Sequence, residues 1–243
     1  MSGHSKWANI KHRKEKSDAQ KAQAFTKVTR EIIVAARQGG GDPENNFRLR
    51  LAVQKARAVN MPSDNITRAI KRGVGGGEGT DFEEVLYEGY GPGGAALLVK
   101  VLTDNRNRSA SEMRYTFSRH GGSLGEAGCV AWMFESRGLL TLDPEAARRG
   151  EEALLNLALE AGAEDLREED DGYVVVTSPG AFEAVRKYLD AAKVPVAEAE
   201  LAMVPKNTVE IGGREAEQLL KLLEALDALD DVQDIFGNYI LPE

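Results

Sequence analysis

Only one cysteine, Cys129, occurs in 243 residues. It leaves no partner for an intramolecular disulfide and no CxxC pair for a metal or redox centre, and it suits a reducing compartment. With Ala131 and Trp132 close by, it reads as a buried structural thiol. Histidine is nearly as scarce, with His4, His12 and His120 alone. There is no HExxH, no GxSxG, no P-loop and no metal-spaced ligand set, so hydrolytic, metal-dependent and phosphoryl-transfer chemistry lack the groups they need. We expect a protein that is not an enzyme, holds no metal or cofactor and turns over no small-molecule substrate. Carboxylates crowd residues 164–171, but a run of like charge reads as a solvated face. Also missing is any apolar stretch near the roughly 18 residues that a membrane span needs. The opening MSGHSKWANIKHRK has cations with no apolar segment behind them. A cytoplasmic protein without membrane contact is the expectation.

What the chain does have is charge, unevenly placed. Residues 1–72 carry 16 Lys and Arg against 6 Asp and Glu, a balance of +10 in a chain whose total is −8. The remaining 171 residues therefore hold −18. Such polarity presents a cationic module to something anionic while an acidic body resists unspecific association. Nucleic acid is the leading partner.

The cationic part is patterned as a helical bundle. Ser17 followed by Gln20 fits a capping box, and Phe25, Ile32, Ile33 and Ala36 recur at helical spacing until Gly39-Gly40-Gly41. Asp42-Pro43 predicts an N-cap and first helical residue for a second helix running to Val59. Ser63 is placed to cap a short third helix with Ile66 and Ile70 inward. Residues 73–80, GVGGGEGT, read as a flexible hinge.

Beyond residue 78 the pattern becomes mixed. GGAALLVKVLT, a helix from Arg108 to His120 with a Ser109–Glu112 capping box, and CVAWMF make one β-α-β unit. NTVEI, a helix from Arg214 to Leu229, and VQDIFGNYIL make another. Between them GLLTLD, a helix over 144–161, a hairpin near Asp171-Gly172, a helix over 179–192 and VPVAEAELAMV spell β-α-β-β-α-β, the ferredoxin-like pattern. The fold class is therefore α+β and multi-domain. Residues 1–78 form a basic helical domain, 79–134 joined with 207–243 a discontinuous α+β domain, and 135–206 an inserted one, both α+β domains expected to share the ferredoxin-like topology. Gly89, Gly91 and Gly94 match GxGxxG, but a strand rather than a helix follows, so the stretch reads as a turn between strands.

Three groups of cations are candidate contacts. In the N-terminal tail Lys6, Lys11, His12, Arg13, Lys14 and Lys16 surround Trp7, a mixture of cations and a stacking ring that irregular or single-stranded nucleic acid rewards. Trp7 could equally anchor the tail on the bundle. In the bundle, Arg48 and Lys55 are seven residues apart and share one face, as do Arg50 and Arg57 on another. Arg68, Lys71 and Arg72 close the third helix, where they serve either a phosphate or the helix dipole. Arg106 and Arg108 stand where a strand hands over to a helix N-terminus, a place suited to phosphate and equally to a turn whose Asp and Asn satisfy the backbone.

GHSKWANIKHRK, FTKVTREIIVAAR, NMPSDNITRAIKRG, YEGYGPGG, LTDNRNRSASEMR and HGGSLGEAGCVAWMF together resemble the YebC/PmpR family. The resemblance runs along residues 2–135 and continues more weakly to the end. It implies a cytoplasmic, non-enzymatic protein of three domains, acting as a DNA-binding transcriptional regulator or, alternatively, as a ribosome-associated translation factor that binds RNA. One departure is the stretch after Asp18-Ala19. Family members often carry Lys and Arg there, and this chain has Gln20, Ala22, Gln23 and Ala24 around a single Lys21.

Overall fold

The computed structural model describes residues 18–76, 81–169 and 172–241. Its described residues divide into two compact units, one of 18–76, 81–133 and 207–241 and the other of 134–169 and 172–206. In the first unit the apolar spacing of the N-terminal segment produces three helices, α1 (Asp18–Gly39), α2 (Phe47–Ala58) and α3 (Ser63–Gly75). Val28, Ile32, Ile33 and Ala36 of α1 pack with Leu49, Ala52, Val53 and Ala56 of α2 and with Ile66 and Ala69 of α3. Ile32 and Ile33 are completely or almost completely buried, each contributing about 1.5–3 kcal/mol by removal from water.

The helix boundaries differ from expectation where a better cap was available. Asp42 does not open α2. Its carboxylate accepts the Glu44 N–H and the Asn45 amide, closing a single turn, and α2 begins five residues later. Its N-cap is Asn46, whose Oδ1 accepts the Leu49 N–H at 3.0 Å while its Nδ2 donates to Ala35 O and Gly40 O. One buried side chain thus caps α2 and ties it to the end of α1. Ser63 is the first residue of α3 rather than its cap, because Pro62 precedes it in extended conformation. The capping box at Ser17 and Gln20 lies outside the residues whose side chains are described.

The glycine-rich stretch is not a hinge over its first part. Helix α3 continues to Gly75, and Gly73 is buried within it. A Cβ at Gly73 would stand 2.5 Å from Ile33 O and 2.8 Å from the Ala36 Cβ, so glycine here lets α1 and α3 approach closely. Residues 77–80, the rest of the expected hinge, lie outside the described residues.

The second part of this unit is an antiparallel four-stranded sheet of order β3-β1-β2-β9, from β1 (Glu83–Tyr90), β2 (Ala96–Thr103), β3 (Ser123–Leu124) and β9 (Val232–Gly237). The GYGPGG stretch is the turn joining β1 to β2, in register from Glu83↔Thr103 to Tyr90↔Ala96. Helices α4 (Arg106–Arg119) and α7 (Gly213–Asp227) share a core on the sheet, built from Met113 and Phe117, from Leu219, Leu222, Leu223 and Leu226, and from Leu97, Val99 and Val101 of β2. His120 is the C-cap of α4, and Gly121, at φ +78°, turns the chain so that the Gly122 N–H returns to Phe117 O.

Of CVAWMF only Phe134 is in a strand, as the first residue of β4 (Phe134–Leu142), and residues 129–133 are not. Glu88 on β1 accepts the N–H groups of Gly128, Val130 and Ala131 at 2.6–2.8 Å and holds this segment as a loop. Burial alone would push the Glu88 carboxyl up, but the three donors leave it below the usual carboxylate range. Cys129, in that loop, is only partly buried, and burial followed by the Glu88 charge raises its thiol.

The second unit forms its own sheet from β4 (Phe134–Leu142), β5 (Asp165–Glu169), β6 (Gly172–Thr177) and β7 (Val196–Pro205), with α5 (Glu151–Glu160) and α6 (Phe182–Ala191) as crossovers. All pairings are antiparallel and the order is β5-β6-β4-β7, which places the first and third strands centrally as the β-α-β-β-α-β reading requires. The helix expected over 144–161 is broken at Gly150, whose φ of +84° separates a 3-10 turn at Pro144–Arg149 from α5. The two four-stranded sheets each carry two helices but differ in connectivity. In the first unit the central strands β1 and β2 are joined directly by a tight turn. Strand β8 (Val209–Glu210) leaves the main sheet to pair in parallel with β10 (Tyr239–Ile240).

Gly73 and Gly75 allow a direct comparison. Gly75→Ala meets open space and is expected to be neutral or to stabilise by up to about 0.5–1 kcal/mol. Gly73→Ala, against the Ile33 carbonyl, should destabilise by about 1–3 kcal/mol. Urea unfolding of both variants decides it, and equal midpoints would contradict the close packing of α1 on α3.

Candidate nucleic-acid interface

The tail candidates Lys6, Trp7, Lys11, His12, Arg13 and Lys14 lie outside the described residues. In α2 the two cations that share a face are both engaged within the protein. Arg48 donates to Gln38 Oε1 at 2.8 Å and forms an ion pair with Glu84. Lys55 sits 3.1 Å from a carboxylate oxygen of Glu31, which is itself largely buried. On the other face Arg50 is bound to the carbonyls of Pro43 and Glu44, and Arg57 is exposed.

On α3 the three candidates stand at i, i+3 and i+4. Arg68, Lys71 and Arg72 are all exposed and form one outward stripe, with no carboxylate hydrogen-bonded to Arg68 or Lys71 among the described residues. Arg68 reaches only back along its own helix, to Asp64 O and the Asn65 side chain.

At the N-terminus of α4 the two arginines separate. Asn105 is the N-cap, its Oδ1 accepting the Arg108 N–H at 3.1 Å, which is a role a serine at 109 was expected to fill. Ser109 is instead buried and donates to Asp231 Oδ2 at 2.7 Å. Arg108 spends its guanidinium on Asp231 Oδ2 at 2.9 Å and Asp104 Oδ1 at 2.8 Å. Arg106, two residues earlier, is exposed, and its backbone carbonyl accepts from the Tyr87 hydroxyl.

Asp231 gathers more than Arg108. Arg30 of α1 donates to its Oδ1 at 2.6 Å, and Thr103 Oγ1 lies 3.1 Å from its Oδ2. Its backbone carbonyl accepts the Leu102 N–H, which fixes the group against β2. The side chain is 5% exposed. Burial alone would raise its pKa, yet the hydrogen bonds from Arg108 and Ser109 and the charge of Arg30 hold the carboxyl below its ordinary value. Around it, Gln23 and Lys27 of α1 both donate to Asp227 O, at 3.0 and 2.6 Å. That carbonyl belongs to the last residue of α7, where the helix dipole is negative. Gln23, Lys27 and Arg30 follow one another at i, i+4 and i+7 on a single face of α1. These cations therefore serve the union of the helical bundle with the α+β sheet.

Comparison with known proteins agrees with the sequence motifs. The family model for the TACO1/YebC N-terminal domain matches residues 5–76, and that for the TACO1/YebC second and third domain matches residues 82–239. The chain belongs to the TACO1/YebC family. Relatives from Pelotomaculum thermopropionicum (53% identical, 98% of each chain) and Moorella thermoacetica (55% identical, 100% of this chain and 96% of the relative) are each named "Probable transcriptional regulatory protein". A crystal structure of a conserved hypothetical protein from Aquifex aeolicus is 47% identical over 98% of either chain, with a TM-score of 0.86.

In this TACO1/YebC member the sequence reading missed two sets of residues. Lys27 and Arg30 gave no signal, because their acceptors are about 200 positions away. The outward side of α4, with Arg114, Tyr115 and Arg119, could have been found from helical phase, since Ser109, Met113, Thr116 and Phe117 take the inward side.

Asp231→Asn removes the charge that joins α1 to α4 and should cost about 2–4 kcal/mol, since it leaves Arg30 and Arg108 without their shared partner. The lowered pKa fixes the sign of the pH dependence. The contribution is complete above the unfolded value of about 3.9 and is lost as pH falls through the folded one. Denaturant unfolding of parent and variant between neutral pH and strong acid should show a constant gap that closes only below about pH 4. A gap that is already absent at neutral pH would contradict the role of Asp231.

Proposed function

We propose that this TACO1/YebC protein is a non-enzymatic, nucleic-acid-binding regulator of gene expression, acting on DNA as a transcriptional regulator. The observation that carries the reading is the division of its cations. One set, Lys27, Arg30, Arg48, Lys55 and Arg108, neutralises carboxylates inside the protein. Another, including Arg68, Lys71 and Arg106, faces solvent, and the sequence of residues 1–17 adds further cations. Cations held against carboxylates cannot release counterions from a phosphate backbone, whereas exposed ones can. The names of the relatives support regulation of transcription, and His120, serving as a helix cap, offers no support for catalysis.

A second reading, a translation factor that binds RNA on the ribosome, is favoured by the exposed rings Tyr115 and Trp132, at 62% and 64%. Exposed aromatics suit unpaired bases better than a closed duplex. Sedimentation with ribosomes against enrichment on promoter DNA, from one lysate, separates the two readings.

The division of cations gives a quantitative test. Plots of log K against log salt should fall with a slope of about −0.7 to −0.9 per phosphate neutralised. Lys71→Ala should make that slope shallower by about one unit. Lys55→Ala, whose charge is spent on Glu31, should leave it unchanged. A parent protein with no salt dependence would sink the electrostatic reading, and equal changes from both variants would sink the division.

A further inference from the structure

We infer that the outward side of α4 is a binding surface for single-stranded nucleic acid, with Tyr115 as a stacking platform and Arg114 and Arg119 as phosphate contacts; this rests on the nucleic-acid reading above and specifies a site for it.

At 100° per residue the buried positions Ser109, Met113, Thr116 and Phe117 define one side of α4. The opposite arc carries Asn107, Ser111, Arg114, Tyr115, Ser118 and Arg119, all exposed. Arginines flank this arc, small polar residues lie between them, and no carboxylate stands within it. Glu112 is at its border and partly buried. Within the acidic part of the chain this cationic excess is specific to α4. Residues 106–119 hold four Arg and one Glu, whereas α7 holds two cations against four carboxylates and α5 has three Glu with no cation. A cationic face maintained on the acidic part of the chain is suited to a polyanion.

Tyr115 adds a feature that charge alone does not require. It is 62% exposed, and the Arg119 guanidinium lies 5.8 Å from its ring centroid with Nη1 donating to its hydroxyl at 2.5 Å. Another exposed tyrosine, Tyr188, has its hydroxyl tied to Glu160 at 2.9 Å, an ordinary surface hydrogen bond to a carboxylate. The Tyr115 ring is paired with a cation instead. Ring and guanidinium each present the kind of flat face on which unpaired bases stack, and the guanidinium also serves a phosphate. Along the outward arc, Asn107 to Arg119 spans about 18 Å, a track long enough for several nucleotides. Duplex bases are already stacked on one another, so the ring selects single strands.

The test uses the full chain, a fluorescein-labelled oligouridylate and a DNA duplex of equal length, titrated by polarisation. Tyr115→Ala should weaken oligouridylate binding on the order of tenfold and leave the duplex unchanged. Tyr115→Phe should retain parental binding, because the ring is kept. Arg114→Gln and Arg119→Gln should each make the oligouridylate salt slope shallower by about 0.7. Because all three positions are exposed, the unfolding midpoints of these variants should match the parent. If the parent binds oligouridylate and Tyr115→Ala binds it equally well, the α4 surface is wrong while the nucleic-acid reading stands. Equal weakening on both probes overturns the stacking role. A parent that binds neither probe overturns the nucleic-acid reading together with this site.

Discussion

The carboxylate of Asp231 is the group on which the first unit of this protein depends. It is buried, it lies against β2, and it meets Arg30 from the helical bundle as well as Arg108 and Ser109 from α4. Surface ion pairs such as Arg37 with Asp81 contribute about 0–1 kcal/mol. A buried carboxylate with several charge-assisted partners is different, since removing it takes the shared acceptor from Arg30, Arg108 and Ser109 at once. The bundle and the sheet are thus joined by one polar centre, with Lys27 and Gln23 extending the contact onto the C-terminus of α7.

This arrangement changes how the charge of the chain should be understood. A balance of +10 over residues 1–72 suggests a uniformly cationic module. In three dimensions some of those cations are spent on the protein's own acids, and the part left for an external anion is smaller and more directional. Arg48 and Lys55 hold Glu84 and Glu31, and Arg68 and Lys71 point outward. The acidic body is correspondingly less uniform than its −18 suggests, because α4 carries a basic face of its own.

The helices and strands were legible wherever burial imposes a period. Ile32, Ile33 and Ala36 marked α1, Leu219 to Leu226 marked α7, and the β-α-β-β-α-β order of residues 134–206 could be traced because its four strands close one sheet. The misreadings share a cause. Asp42-Pro43 and Ser109 have the local chemistry of caps, but Asn46 and Asn105 occupy the capping positions, and Ser109 is drawn into the Asp231 centre. Gly73 looked like hinge material because its reason, the Ile33 carbonyl, is forty residues earlier. Arg30 and Asp231 are 201 positions apart, a pairing that no local pattern announces. Among the candidate contacts, residue type and charge were informative, but whether an arginine was already occupied was decided by tertiary structure. Arg106 and Arg108, two residues apart, illustrate this most simply.

The central claim, that the arginines are divided into committed and available groups, can be tested by recording the Arg Nε–Hε NMR signals of the full chain while nucleic acid is added. Arg68, Arg106, Arg114 and Arg119 should shift with the titration, and Arg30, Arg48 and Arg108 should keep their positions. Shifts of Arg30 and Arg108 that equal those of Arg68 and Arg106 would contradict the account.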